Sequence, residues 1–181
     1  MKASKVRHWV VGVGCVVGLS ACHPITGCGI GPLSVGMSAK QAKAAGFAYV
    51  GHEGRVDCGY YSSKAPNDSH VSGVGSARNL TWIETGNGSD RLSNGLGPGS
   101  TFGQIKAVHG SEVKVYFPDW DTPGNRALYV PVVIVRLGDN AITFEMRGDS
   151  KRVGKTLSNS AVVGYVKVST WAARGDDEGC A

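Results

Sequence analysis

Gly36-Met37-Ser38-Ala39-Lys40-Gln41-Ala42-Lys43-Ala44-Ala45-Gly46 is followed, 63 residues on, by a second version of itself: Gly99-Ser100-Thr101-Phe102-Gly103-Gln104-Ile105-Lys106-Ala107-Val108-His109-Gly110. Gly36 matches Gly99, Gln41 matches Gln104, Lys43 matches Lys106 and Ala44 matches Ala107. Both stretches fit the capping box, in which a Ser or Thr hydroxyl accepts the backbone N–H three residues on and a Gln or Glu reaches back to the cap. The caps are Ser38 with Gln41 and Thr101 with Gln104. Gly46 and Gly110 then provide the left-handed residue that ends a helix. Each stretch predicts a helix of about two turns. Upstream, Gly29-Ile30-Gly31-Pro32 is echoed by Gly95-Leu96-Gly97-Pro98, with a spacing to the helix that differs by three residues.

Strand-like runs follow each helix. After the first they are 47–50, 56–61, 71–74 and 80–85; after the second, 112–117, 128–137, 141–146 and 162–170. The run 80–85 alternates, with Leu80, Trp82 and Glu84 on one face and Thr81, Ile83 and Thr85 on the other. Pro131 inside 128–137 predicts an edge position or a bulge, because proline has no N–H for a ladder. Turn chemistry separates the runs at Gly86-Asn87-Gly88, Asp121 to Asn125 and Gly138-Asp139-Asn140. The expected fold class is therefore α+β: two tandem repeats, each a short capped helix followed by antiparallel strands.

The N-terminus carries a different signal. Lys2, Lys5 and Arg7 precede an apolar run from Trp9 to Leu19, which is too short to span a bilayer and fits a secretory leader. Leu19-Ser20-Ala21-Cys22 resembles the lipobox of bacterial lipoproteins, which implies cleavage before Cys22 and a diacylglyceryl thioether on its sulfur. The expected organisation is a signal peptide over 1–21, a lipidated tether over 22–32 and one domain over 33–181, its repeats covering about 33–90 and 95–181. The expected address is the outer face of the cytoplasmic membrane, or the outer membrane if the source is diderm.

Removing the leader changes the charge. The whole chain has 19 basic and 14 acidic residues; without Lys2, Lys5 and Arg7 the balance is 16 to 14, about +2. No basic run remains that would attract nucleic acid. Five cysteines also become fewer. Cys15 leaves with the leader and Cys22 takes lipid. Cys28, Cys58 and Cys180 remain, an odd number in a compartment that permits one disulfide. Spacing alone does not choose the pair. Cys28 lies in the expected tether, whereas Cys58 and Cys180 sit beside strand-like runs. Cys58–Cys180 is the favoured pairing and Cys28–Cys58 the other.

Gly36-Met37-Ser38 with Gln41-Ala42, and a second such helix downstream, resembles the Gly-Met-Thr/Ser motif of the beta-lactamase inhibitory protein family. A related single unit occurs in small outer-membrane assembly lipoproteins. The whole arrangement is most similar to uncharacterised actinobacterial-type lipoproteins. In these, Gly-Ile-Gly-Pro precedes Gly-Met-Ser, a cysteine stands near an aromatic in the first half, and Glu-Gly-Cys closes the chain. The corresponding residues are Gly29 to Pro32, Cys58-Gly59-Tyr60 and Glu178-Gly179-Cys180. The resemblance spans about 29–180 on short motifs and gives an independent reason to pair Cys58 with Cys180. Ser100 in place of the motif's Met, and Gly103 within the second helix, depart from it. The family's inhibitors bind enzymes through a concave sheet face and loops, and no residue of this chain matches one of their contacts.

Catalytic signatures are missing: no G-x-S-x-G, H-E-x-x-H, C-x-x-C or Walker A occurs outside the leader. His52 with Glu53, His70 with Asp68, and His109 show no ligand spacing and read as loop histidines. Asp119-Trp120-Asp121 reads as a polar turn more readily than as a carboxylate pair. The run from Gly95 to Gly99 reads as loop geometry rather than an anion cradle. Sequon matches at Asn67, Asn79 and Asn87 read as chance. Tyr60, Tyr61, Trp82, Tyr116, Trp120 and Tyr129 are candidates for a recognition face, since Tyr and Trp dominate interface hot spots. The expectation is a membrane-anchored, non-enzymatic module that binds an unknown protein, with no cofactor and no metal. The alternatives are an inhibitor of a secreted enzyme, an envelope hydrolase using Asp119, Asp121 and His109, and a structural role in envelope assembly.

Overall fold

The computed structural model describes residues 24–52, 59–63, 71–75, 79–117, 130–147 and 156–172. The fold is α+β. Each half is a capped helix followed by a four-stranded antiparallel meander. The first contains α1 (Ala39–Ala44), β4 (Phe47–His52), β5 (Gly59–Ser63), β6 (Val71–Gly75) and β7 (Leu80–Thr85). The second contains α2 (Phe102–His109), a 3-10 turn at Gly110–Glu112, β9 (Lys114–Tyr116), β10 (Val132–Leu137), β11 (Asn140–Met146) and β12 (Val163–Thr170). The meanders join through their last strands into one eight-stranded sheet of order β4-β5-β6-β7-β12-β11-β10-β9. Every neighbouring pair in it is antiparallel.

The two helix entries share one hydrogen-bond design. Both capping boxes form, Ser38 with Gln41 and Thr101 with Gln104. Gly36 donates its N–H to the Leu80 carbonyl and Leu80 donates to the Met37 carbonyl, at 2.7 and 2.8 Å. Gly99 donates to Val163 and Val163 to Ser100, at 2.9 and 2.8 Å. Each cap residue also forms an isolated bridge, Ser38 with Asn79 and Thr101 with Val162. The helix start is thus stitched to the start of its own half's last strand; the helix-side residues correspond at an offset of 63 and their strand partners at 83. Gly36 and Gly99 take φ of 84° and 89°, and Gly46 and Gly110, which follow the helices, take 93° and 55°. A side chain is strained in that region.

A second, four-stranded sheet was not foreseen. It consists of β1 (Pro24–Thr26), β2 (Gly29–Ile30), β3 (Leu33–Ser34) and β8 (Arg91–Leu92), in the order β3-β2-β1-β8. The β1 and β8 strands run parallel, Pro24 opposite Arg91 and Ile25 opposite Leu92. Residues 24–32 therefore differ from the expected tether. Ile25, Ile30 and Leu33 are buried and belong to the main core. The physical reason is burial: three large aliphatic side chains within nine residues stabilise the fold more by packing than a solvated leash would allow. The folded unit begins no later than Pro24, nine residues before the boundary expected at 33.

The core lies on one face of the eight-stranded sheet. Ile83, Val133, Val135, Ile142, Phe144, Val166 and Val168 meet the small sheet's Ile25, Ile30, Leu33 and Leu92 and the helices' Ala42, Phe102 and Ile105 there. The alternation expected in 80–85 holds for Ile83 and Thr85, both fully buried. It breaks at the start. Gly75 pairs with Leu80 and Val74 with Trp82, a β-bulge that leaves Thr81 extra. Leu80 consequently joins the core cluster and Trp82 does not. An extra residue shifts the period-2 pattern by one step. The β10 strand starts just after Pro131, whose carbonyl accepts the Met146 N–H at 2.9 Å. The β10–β11 hairpin closes on Gly138 and Asp139, with Gly138 at φ 63°.

Candidate functional site

The face of the large sheet turned away from the core holds its most unusual chemistry. Register alone assembles it. Trp82 is directly opposite Ser169, and Ser169 opposite Ala141. In the next row Glu84 is opposite Lys167, Lys167 opposite Thr143, and Thr143 opposite Ile134. Directly opposed residues have Cβ atoms about 4.5–5.5 Å apart, so these side chains are neighbours although they come from distant parts of the chain.

Most of these side chains are buried, yet none of Trp82, Ile134 and Ala141 belongs to the core cluster. Lys167 is only 4% exposed, and its Nζ stands 5.1 Å from the centroid of the Trp82 ring. A cation over an indole face is attracted by the ring quadrupole. Three polar atoms around this pair are buried without a hydrogen-bond partner: Trp82 Nε1, Thr143 Oγ1 and Ser169 Oγ. A buried polar group left unsatisfied costs roughly 1–3 kcal/mol. All three can donate, the indole only donate. Together with the lysine they form a donor-rich patch that is closed to solvent in this structure. Beside it, at the exposed corner of the face, the Arg136 guanidinium stacks over the Trp171 ring at 4.8 Å.

This chemistry predicts an unusual stability result. Ser169→Ala removes a hydroxyl that has no partner, so urea unfolding of the variant is expected to match the parent or to show a gain of up to about 1 kcal/mol. A clear loss would mean that the hydroxyl is satisfied in the folded state.

Cys22, Cys58 and Cys180, His70 with Asp68, Glu53, Asp119 to Asp121, Trp120 and Tyr129 lie outside the described residues. Cys28 is exposed in the β1–β2 turn, with its carbonyl accepting the Val35 N–H at 2.8 Å. His109 ends α2, and its Nε2 is buried without a partner. The run from Gly95 to Gly99 cannot cradle an anion, because its amides are engaged within the fold. Gly95 donates to Leu92, Leu96 to Asn94 Oδ1, Gly97 to Ser100 Oγ and Gly99 to Val163.

On this face Trp82 and Tyr116 were singled out by sequence; Lys167, Tyr165, Arg136 and Trp171 were not. The alternation of β12 carries a signal for two of them. Tyr165, Lys167 and Ser169 share one face while Val166 and Val168 share the other, which makes Lys167 and Tyr165 neighbours on the side opposite the valines.

No protein-family model matches the chain, and no curated protein matches it. Among solved structures, the crystal structure of the uncharacterized protein yfeY from Escherichia coli is similar, with a TM-score of 0.50 over 82% of this chain and 99% of that chain at 12% identity. That likeness concerns the fold alone.

Proposed function

We propose that the protein is a lipoprotein of the bacterial cell envelope, anchored through lipid on Cys22, that recognises another envelope protein through the non-core face of its large sheet and performs no catalysis. The observation that carries the binding part is the cluster of Trp82, Ser169 and Thr143 around Lys167, where the polar atoms of the first three are buried without partners on a face outside the core. A sheet selected only for stability would place apolar side chains there; retained, unsatisfied polarity is a mark of a functional surface. The lipobox-like Leu19 to Cys22 supports the anchor. No helix among the described residues is long and apolar enough to cross a membrane. A narrower version, inhibition of a secreted enzyme, is supported by the resemblance to the beta-lactamase inhibitory proteins and by nothing else on this face.

Photo-cross-linking in cells tests the reading. A photoreactive amino acid at Arg136, at the corner of the face, is expected to give one discrete protein adduct. The adduct weakens in the Trp82→Phe background, which keeps an aromatic ring, smaller than the indole, and removes the donor. The same amino acid at Val108, exposed on α2, gives none. Equal adducts from both positions would overturn the proposal. Metabolic labelling with a clickable fatty acid tests the anchor separately, since label that survives Cys22→Ala contradicts it. The Cys58–Cys180 disulfide belongs to the same reading. Reduction is expected to add about 2 Da, a gain lost in Cys58→Ser and kept in Cys28→Ser.

A further inference from the structure

We infer that the end of the domain bearing Pro24 is a membrane-contact surface, seated in the lipid headgroup layer through Arg91, Tyr165, Tyr116 and Phe117. The inference rests on the reading of Cys22 as the lipidated residue.

The first part of the argument is the length of the leash. A single residue, His23, separates Cys22 from Pro24. Two residue steps span at most about 7 Å, so the Cα of Pro24 stays within that distance of the lipid-bearing residue. Pro24 is itself held in place. It begins β1 opposite Arg91, and its carbonyl accepts the Gly31 N–H at 3.1 Å. Interfacial groups lie roughly 5–10 Å into the headgroup boundary, a depth comparable to the leash. A domain so tied has little freedom to tumble away, and one end must face the lipid.

Hydrogen bonds and register identify what that end carries. Arg91 follows Asp90, whose carboxylate accepts the Thr85 hydroxyl at 2.6 Å, so the Pro24 end lies by the C-terminal end of β7. The opposite end of β1 turns at Gly27, where the Asn140 side-chain amide donates to the Gly27 carbonyl at 2.8 Å, beside the β10–β11 hairpin. The β1 strand therefore runs from the Thr85 end of the large sheet toward the Gly138 end. At the Thr85 end one cross-strand row reads Tyr165, Glu145, Val132 and Tyr116. Tyr165 packs its ring against Gly86, where an added Cβ would meet that ring at 2.7 Å.

The exposure pattern agrees. Five large apolar side chains are exposed among the described residues, and three of them, Tyr165 at 52%, Tyr116 at 43% and Phe117 at 38%, belong to this end. Arg147, exposed and next to the row, adds a second cation to Arg91, against the half-buried Glu145. Tyrosines concentrate where one end of the ring is apolar and the other wet, as at a headgroup layer, and arginine pairs with phosphate oxygens. The occupant that fits is a phospholipid surface. The candidate recognition corner, Arg136 with Trp171, then points away from the membrane toward the envelope space.

The test uses the full-length, processed protein purified from cells and reconstituted in vesicles of phosphatidylethanolamine and phosphatidylglycerol that contain a headgroup-proximal doxyl lipid. A dye is attached through p-azidophenylalanine placed at Gly88, which has open space around it, or at Asp139 at the other end. The dye at 88 is expected to lose most of its emission and the dye at 139 to keep it, because strands of this length hold the two ends about 20 Å apart. In the variant Tyr116→Ser, Phe117→Ser, Tyr165→Ser the quenching at 88 falls toward the level at 139. Intact mass of the same samples reports the lipid. A chain without lipid overturns the anchoring reading and this inference with it. A lipidated chain with equal quenching at both ends overturns the inference alone. Undiminished quenching in the triple variant overturns the role given to the aromatic side chains.

Discussion

Ile30→Ala is expected to destabilise the protein by about 2–5 kcal/mol, read as a large fall in the urea midpoint at unchanged slope. Ile30 is completely buried in a strand of two residues, and it pairs with both Ile25 and Leu33. Its strand packs against β7 and β12, the two strands that join the halves of the large sheet. Truncation therefore opens a cavity between the small sheet and the centre of the molecule, where little can collapse to fill it. A residue in a solvated tether would change stability by no more than about 0.5 kcal/mol. The two descriptions of residues 24–32 differ severalfold in one measurement, and an unchanged midpoint would restore the tether. The result also bears on the proposed anchor, because a folded strand two residues after Cys22 would give a lipid there a fixed mount instead of a flexible leash.

Phe144→Ala is expected to cost about 3–5 kcal/mol, a large share of the about 5–15 kcal/mol that holds a typical domain folded. Phe144 is fully buried on β11, with Val133 opposite it on one side and Val166 on the other. All three belong to the core cluster. The comparison with Ser169→Ala gives the prediction its force. Ser169, in the adjacent strand, is just as buried, but on the other face and without a hydrogen-bond partner. Two equally inaccessible residues are thus expected to give opposite outcomes. Similar losses at both positions would mean that the two faces of the sheet are not differently packed.

Much of the local structure was legible in the residues themselves. The two capping boxes and the glycines that follow each helix were visible because a cap needs only residues three apart. The long strands β11 and β12 were located to within a residue, since seven or eight positions suffice to show an apolar run between turn residues. The strands β1, β2, β3 and β8 were not found. With two or three residues each, they contain no measurable period, and their pairing depends on partners elsewhere in the chain. The bulge at Thr81 was also hidden, because it is set by how β7 meets β6 rather than by β7 alone.

The same division applies to the candidate site. Trp82 attracts notice as an aromatic in a strand, but nothing near it in sequence announces Lys167, Ser169 or Thr143 as its company. The sequence by itself determined the two helix starts and the α+β class, since these are written in patterns of residues a few positions apart. Tertiary structure alone decided that Ile25, Ile30 and Leu33 join the core, that β7 and β12 join the halves, and that Trp82 lies opposite Ser169. The first depends on a pairing between β1 and β8, 67 residues apart, and the others on register between strands more than 80 residues apart in the chain. Such register follows from the packing of the whole sheet, which no local pattern encodes.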